Sequence, residues 1–119
     1  MKVLGITVPI FTTDFEMTVK DYETLMGEST QKKFDIPSIG ISVAKIRSIL
    51  IIGGSEDALT PLKQIRATFV VDSIEDYYSY LVSDEATIIQ TPTSTPTGKN
   101  MIAKGKDGVV FEYVELKPQ

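Results

Sequence analysis

Glu112 is the residue whose type and position most directly indicate a chemical role. It lies in the segment GKDGVVFEYVEL, residues 105–116, where a turn at Asp107-Gly108 precedes a run of strand-forming residues. A buried carboxylate in a strand is costly unless a cation or a metal ion compensates its charge. The sequence therefore allows three interpretations of Glu112: a metal ligand, one half of an ion pair, or a solvated residue on an exposed face.

The residue types that are missing exclude several kinds of chemistry. The 119 residues include no cysteine and no histidine. Thiol catalysis, disulfides and thiolate metal sites are excluded, because each requires cysteine. The commonest general base near neutral pH and the commonest transition-metal ligand are absent as well. A metal site would have to be built from Asp, Glu and neutral oxygen atoms.

Composition and charge indicate a globular protein that does not bind nucleic acid. Hydrophobic residues make up 42% and charged residues 24% of the chain, and these fractions are typical of folded domains. The net charge of −4 argues against nucleic acid as a partner, because phosphate binding needs a basic face. The sequence has no apolar run long enough for a membrane span and no signal-peptide pattern, so we expect a cytoplasmic protein without a membrane partner.

The two halves of the chain resemble each other. Residues 6–27 and 65–86 share an apolar pattern when the first segment is shifted by 59 positions. Ile6 then falls on Ile65, and Glu16 falls on Glu75. In each segment a strand pattern is followed by a helix-capping signal. The signals are Thr13-x-x-Glu16 and Asp72-x-x-Glu75, and the predicted helices span about 14–26, ending at Gly27, and 73–83.

Further strand patterns follow each predicted helix, so each half is predicted to fold as a βαβββ module. The fold class is therefore α+β. We predict a single domain of two modules, 1–54 and 65–119, joined by a linker at 55–64. Between two of the later strands, the Thr- and Pro-rich segment 91–100 is predicted to be a loop, either a plain connector or a flexible lid.

Three segments resemble the vicinal oxygen chelate superfamily, which includes glyoxalase I, bleomycin-resistance proteins and extradiol dioxygenases. TVPIFTTDFEMTVKDYETLMG resembles the opening strand and helix of the family, with Asp14, Tyr22, Leu25 and Gly27 at characteristic places. ATFVVDSIEDYYSYL resembles the start of the second module, and GKDGVVFEYVEL resembles its closing turn and strand. The resemblance implies that two modules form a curved, open sheet, with helices on the convex side and a ligand on the concave side.

The resemblance also implies where a metal ion would bind. Metal-using members of the family place their ligands on the first and last strands of each module. The corresponding positions here are Thr7, Ile51, Arg66 and Glu112. Isoleucine offers no ligand atom and arginine repels a cation, so only Glu112 keeps a usual ligand type. We therefore expect neither a metal ion nor another cofactor.

Strand alternation favours an ion pair between Arg66 and Glu112 in place of the metal. If both side chains face the cavity, Thr68 and Val110 face it too, while Phe111 and other bulky neighbours face the helix. Arginine is a suitable partner because it stays charged and can bind a carboxylate through two hydrogen bonds. The predicted ligand-binding residues are Thr7, Phe11, Ile51, Arg66, Thr68, Val110 and Glu112.

The sequence favours a binding protein over an enzyme, and we assign no catalytic residue. The leading hypothesis is a metal-free protein that holds a small organic ligand in its concave cavity by sequestration. One alternative is a non-catalytic dimerisation or regulatory module whose cavity is filled by its own side chains. Another is a metal-dependent lyase, isomerase or dioxygenase. We expect a homodimer, because two short modules leave strand edges exposed.

Overall fold

Eight strands and three α-helices follow one another along residues 1–118, which the computed structural model describes. Strand, helix and three further strands occur twice, which confirms the α+β class and the βαβββ order of both modules. Two 3-10 turns, Pro37–Ile39 and Thr60–Leu62, complete the described structure. The elements are β1 Val3–Thr12, α1 Phe15–Met26, β2 Lys32–Ile36, β3 Ile41–Ile46, β4 Ile49–Gly53, α2 Glu56–Leu59, β5 Ala67–Val71, α3 Ile74–Ser83, β6 Thr87–Thr95, β7 Gly98–Lys104 and β8 Val110–Leu116.

The chain divides into two compact units. The N-terminal unit comprises Thr7–Gln64, and the C-terminal unit combines Met1–Ile6 with the residues from Ile65 onward. Strand β1 therefore begins in one unit and ends in the other. None of the described helices has the length and apolar character needed to cross a lipid bilayer.

The caps of the two long helices lie one residue later than the sequence motifs predicted. Asp14, and not Thr13, accepts a hydrogen bond from the backbone N–H of Met17, at 3.4 Å. Ser73 caps α3 by accepting from the N–H of Asp76 at 3.2 Å. The carboxylate of Asp72 is engaged elsewhere, because it accepts a hydrogen bond from a backbone N–H at the start of the chain. Helix α1 ends as predicted at a glycine in the left-handed conformation.

In the N-terminal unit the strands lie in the order β2-β3-β4-β1, with β1 parallel to β4 and the other neighbours antiparallel. Helix α1 covers one face of this sheet through Val19, which packs against Ala44, Ile46 and Ile51. At the end of β4, Gly53 leaves room for the side chain of Phe15, since a Cβ atom there would lie 2.6 Å from it.

The opposite face of the N-terminal sheet is covered by the segment that follows β4. Helix α2 and the 3-10 turn after it bring Leu59 and Leu62 onto this face, and only 1% of Leu59 is exposed. Ser55 caps α2 by accepting from the N–H of Ala58 at 3.1 Å. The covered apolar residues are Phe11, Phe34, Ile36, Ile41, Val43, Leu50 and Ile52. In this unit both faces of the sheet are therefore packed by residues of the unit itself.

In the C-terminal unit the order is β5-β8-β7-β6, with β5 parallel to β8 and the other pairs antiparallel. Helix α3 packs on one face through Ile74 and Leu81. The rings of Phe69 and Phe111 stack beneath it with centroids 4.4 Å apart. Tyr113 belongs to the same core, and burial raises the pKa of its phenol.

The Thr- and Pro-rich segment 91–100 is a hairpin, and the prediction of a loop or lid there was wrong. Strand β6 continues to Thr95 and pairs with Gly98 at the start of β7. β-branched threonines favour extended backbone, and the edge position of β6, with its two register shifts, tolerates Pro92. Gly98 is required by close approach, because a Cβ atom there would overlap the carbonyl oxygen of Glu115.

Candidate functional site

The carboxylate of Glu112 is held in a fixed orientation in the C-terminal unit. Its Oε1 atom accepts a hydrogen bond from the hydroxyl of Thr68 at 2.8 Å. Its Oε2 atom accepts from the side-chain amide of Asn100 at 3.1 Å. The Glu112 side chain is half-buried, and Thr68 is 4% exposed. Both oxygen atoms are thus oriented by neutral donors of neighbouring strands.

A second amide extends this arrangement to the edge of the sheet. The Nε2 atom of Gln90 donates to Oδ1 of Asn100 at 2.8 Å, which fixes the orientation of the Asn100 amide. The chain of hydrogen bonds therefore crosses all four strands β5, β8, β7 and β6. Sequence reasoning missed Gln90 and Asn100. A signal was present for Gln90, which is a polar residue inside a predicted strand of the second module, whereas Asn100 ends the segment 91–100 that was predicted to be a loop.

Strand register explains why these side chains meet. Thr68 is the direct partner of Glu112 in the parallel pair β5–β8, and Ile102 is its partner in the antiparallel pair β7–β8. Direct partners project to the same side of a sheet, whereas Tyr113, the next residue along β8, projects to the α3 side. We use the term Glu112 face for the side chains of Thr68, Gln90, Asn100, Ile102, Val110 and Glu112.

The apolar part of the Glu112 face adjoins the carboxylate directly. Ile102 and Val110 are only 6% and 7% exposed, although both lie on the side of the sheet away from α3. Strand alternation places Val110 two residues before Glu112 on β8. A partly accessible carboxylate therefore lies among nearly buried apolar groups.

The predicted ion pair between Arg66 and Glu112 is not formed. Among the described residues, no arginine or lysine nitrogen lies within 4.0 Å of the Glu112 carboxylate. Arg66 precedes β5, its backbone N–H donates to the carbonyl of Val110 at 2.8 Å, and its side chain is exposed. The physical reason is that solvent hydrates the exposed guanidinium group, while Thr68 and Asn100 orient the carboxylate and use only part of its accepting capacity.

The remaining predicted site residues lie in the N-terminal unit, on different faces of its sheet. Ile51 is fully buried against α1, which corrects its predicted position on the ligand face. The neighbouring Ile52 projects to the opposite face, as strand alternation requires. Phe11 lies on that opposite face but packs beneath Leu59 and its neighbours. Thr7 is 6% exposed near the middle of β1.

A shallow polar depression lies at the C-terminal end of α1, and its lining includes none of the predicted site residues. It is lined by Lys20, Glu23, Thr24, Gly27, Glu28 and Ser29. The Glu23 carboxylate accepts hydrogen bonds from the backbone N–H of Thr30 at 2.7 Å and from its hydroxyl at 2.8 Å. These bonds hold the pKa of Glu23 below its usual value. The contacts close the turn after α1 and are structural.

Solved structures resemble the chain over nearly its whole length. An uncharacterized protein from Methanosarcina mazei is 39% identical, with a TM-score of 0.91, and the match covers 98% of this chain and 95% of that one. The two proteins belong to one family. A methylmalonyl-CoA epimerase from Mycobacterium tuberculosis is 18% identical, with a TM-score of 0.80 and coverage of 98% and 90%. The chain has the vicinal oxygen chelate fold.

Another protein with this fold, a hypothetical protein from Bacillus halodurans C-125, is 20% identical, with a TM-score of 0.78 and coverage of 99% and 96%. No protein-family model matches the sequence, and no curated protein matches it. At identities of 18% and 20%, the similarity to these structures concerns the fold alone.

Members of the vicinal oxygen chelate superfamily that use a metal ion need several ligands, and the residues of this chain do not fit that requirement. Ile51 has no ligand atom and Arg66 carries a positive charge. Glu112 remains, with both oxygen atoms accepting hydrogen bonds from neutral donors. Residues 1–118 contain no group of three Asp or Glu side chains arranged to hold an ion.

Proposed function

We propose that the protein binds a small organic molecule at the Glu112 face and that no metal ion takes part in this binding. One observation carries the proposal: the half-buried carboxylate of Glu112 is oriented by Thr68 and Asn100 before any ligand arrives. An ionised carboxylate can accept about four hydrogen bonds, and two are used here. The remaining capacity makes Glu112 a preorganised acceptor for a ligand.

The surroundings of Glu112 support a ligand with an apolar part. Small-molecule sites are mostly apolar and contain a few well-placed polar groups. Val70 and Val114, which are half-buried on the same side of the sheet, provide apolar surface near the carboxylate, and Gln90 supplies a further amide at the edge of the sheet. The fold also occurs in an enzyme named methylmalonyl-CoA epimerase, which supports a small-molecule role without identifying the ligand.

We propose binding, or sequestration, and not catalysis. The chain offers no histidine or cysteine as a base or nucleophile, and its donor atoms do not fit a Lewis-acid metal. The carboxylate is engaged by two donors whose evident effect is orientation. This arrangement supports recognition of a ligand group over its chemical conversion.

Ligand-observed NMR with a library of small fragments tests the proposal. Fragments that bind the wild-type protein should lose binding to Glu112→Gln and keep it to Glu75→Gln, which removes an exposed carboxylate on α3. Elemental analysis of protein purified without chelator should give far less than one metal ion per chain. Stoichiometric metal, or binding that is indifferent to Glu112, would overturn the proposal.

The second candidate function is a non-catalytic dimerisation or regulatory module. The observation that favours it is the cover formed by Leu59 and Leu62 over the Phe11 side of the N-terminal sheet. A face that the chain itself fills offers no room for a ligand in that unit. If no fragment binds the folded protein, this candidate becomes the better explanation.

A further inference from the structure

We propose that the ligand of the Glu112 face is an organic cation, a protonated amine or amidinium attached to an apolar group. This inference rests on the proposed function and specifies the chemical class of the ligand. It follows from three features of the C-terminal unit: the charge of Glu112, the free hydrogen-bonding capacity of its oxygen atoms, and the apolar side chains beside it.

The charge of Glu112 has no counter-charge within the described chain. Its hydrogen-bond partners, Thr68 and Asn100, are neutral, and within residues 1–118 no cationic nitrogen lies within 4.0 Å of it. A partly desolvated carboxylate gains more from a cation than from a neutral donor, because charge-assisted hydrogen bonds are stronger. A cationic ligand would therefore complete an electrostatic arrangement that the chain leaves open.

The hydrogen bonds define the shape of the complementary group. Each oxygen atom of Glu112 accepts one bond from the protein, so each retains capacity for a second. An amidinium presents two parallel N–H groups that match the two oxygen atoms of a carboxylate. A protonated amine can reach one oxygen atom or bridge both. A carboxylate ligand would instead meet a like charge.

Apolar contacts define the rest of the ligand. Ile102 and Val110 flank the carboxylate and are nearly buried, while Val70 and Val114 lie two residues further along β5 and β8 on the same side of the sheet. A planar aromatic or compact aliphatic group attached to the cation can bury its surface against Val70 and Val114, which are half-buried.

Two cations lie near one end of this face, and neither prevents the proposed binding. The backbone N–H of Arg66 donates to the carbonyl of Val110, and Lys104 is the direct partner of Val110 in the β7–β8 pair. Both side chains are exposed, so water and salt screen their charge. The net charge of −4 makes the chain as a whole attractive to cations.

Three isosteric probes test the charge requirement: benzamidine, benzamide and benzoate share a phenyl ring and differ in charge. Their affinities for the full chain can be measured by NMR titration, with the side-chain amide signals of Asn100 and Gln90 reporting the location. We expect benzamidine to bind at least about tenfold more tightly than benzamide, and benzoate to bind more weakly than both. Glu112→Gln should remove the preference for benzamidine, whereas Glu75→Gln should retain it.

The outcomes separate this inference from the proposed function. Equal binding of benzamide and benzamidine, with loss of both in Glu112→Gln, would overturn the cation requirement and leave the proposed binding function standing. The absence of binding by every probe and every fragment would overturn both. Preference for benzamidine that persists in Glu112→Gln would also refute the inference, because the cation would then be recognised elsewhere. A folded-state spectrum of each variant shows that lost binding is not lost structure.

Discussion

Thr68 and Glu112 are joined by a hydrogen bond of 2.8 Å although 44 residues separate them in the sequence. The donor lies on β5 and the acceptor on β8, and the two residues are direct partners in this parallel strand pair. The bond orients the carboxylate and also links the first and last strands of the second module. Its removal should therefore affect stability as well as ligand binding.

Replacement Thr68→Val should lower the free energy of unfolding by about 1–3 kcal/mol, because one oxygen of a half-buried carboxylate loses its donor. Urea denaturation of the variant measures this change. Thr87→Val, at an exposed position on β6, is the matched control and should have little effect. In a double-mutant cycle, Thr68→Val and Glu112→Gln should be non-additive, and strict additivity would contradict the interaction. Arg66→Met should be nearly neutral, since Arg66 forms no ion pair with Glu112.

Replacement Gly98→Ala should destabilise the protein by about 2 kcal/mol or more, because the added Cβ atom would overlap the carbonyl oxygen of Glu115. Strands β7 and β8 would have to separate at the start of β7. Thermal unfolding measures the effect. Gly5→Ala is the matched control, because a Cβ atom at Gly5 would meet no other atom within 4 Å, and it should be neutral within about 0.5 kcal/mol. Equal effects of the two substitutions would refute the close approach.

Replacement Leu59→Ala should cost about 2–5 kcal/mol, since it leaves a cavity beneath α2 where the side chain is 1% exposed. Partial opening of the covered face should also increase binding of the dye ANS. Leu25→Ala, at a position that is 76% exposed, provides the control with the same chemical change and should have little effect. If the two variants unfold at the same denaturant concentration, α2 does not cover the sheet in solution.

Replacement Glu23→Gln should lower stability at neutral pH and much less in acid. The pKa of Glu23 is depressed by its hydrogen bonds from Thr30, so its stabilising effect is present above the usual pKa of a glutamate. That effect is lost as the pH falls through the lower pKa of the folded protein. Unfolding experiments from pH 7 to pH 3 should therefore show the difference between wild type and variant shrinking. A difference that is constant with pH, or equal to that of Glu75→Gln, would contradict this assignment.

We propose that two copies of the chain associate as a homodimer. Leu4 and Ile6 are two residues apart on β1, so their side chains project to the same side of the strand. They are 61% and 52% exposed, and contact of this apolar surface with water is unfavourable. Light scattering at micromolar concentration should give twice the mass of one chain. The double substitution Leu4→Lys and Ile6→Lys should give monomers, whereas Leu25→Lys should not. A monomeric wild-type protein would refute the proposal.

The sequence predicted the elements better than the directions of particular side chains. Helix signals near Asp14 and Ser73 were recognisable because capping depends on a few adjacent residues. The direction of Ile51 was not, because β4 is apolar on both faces and its alternation carries no polar marker. The partners of Glu112 were missed for another reason. Asn100 reaches it through the register of the β7–β8 pair, which residue types alone do not define.

The division of β1 between the two units has a consequence for folding during synthesis. Residues Val3–Ile6 belong to the unit that also contains β8, so this unit cannot be completed until the last strand has left the ribosome. The contact between Lys2 and Asp72 closes a segment of 70 residues, and such long-range closure is slow compared with local pairing. Residues 7–64 can form their own contacts earlier. Residues Val3–Ile6 of the first strand are then without their unit for most of translation. A fragment that starts at Ile65 would lack these four strand residues.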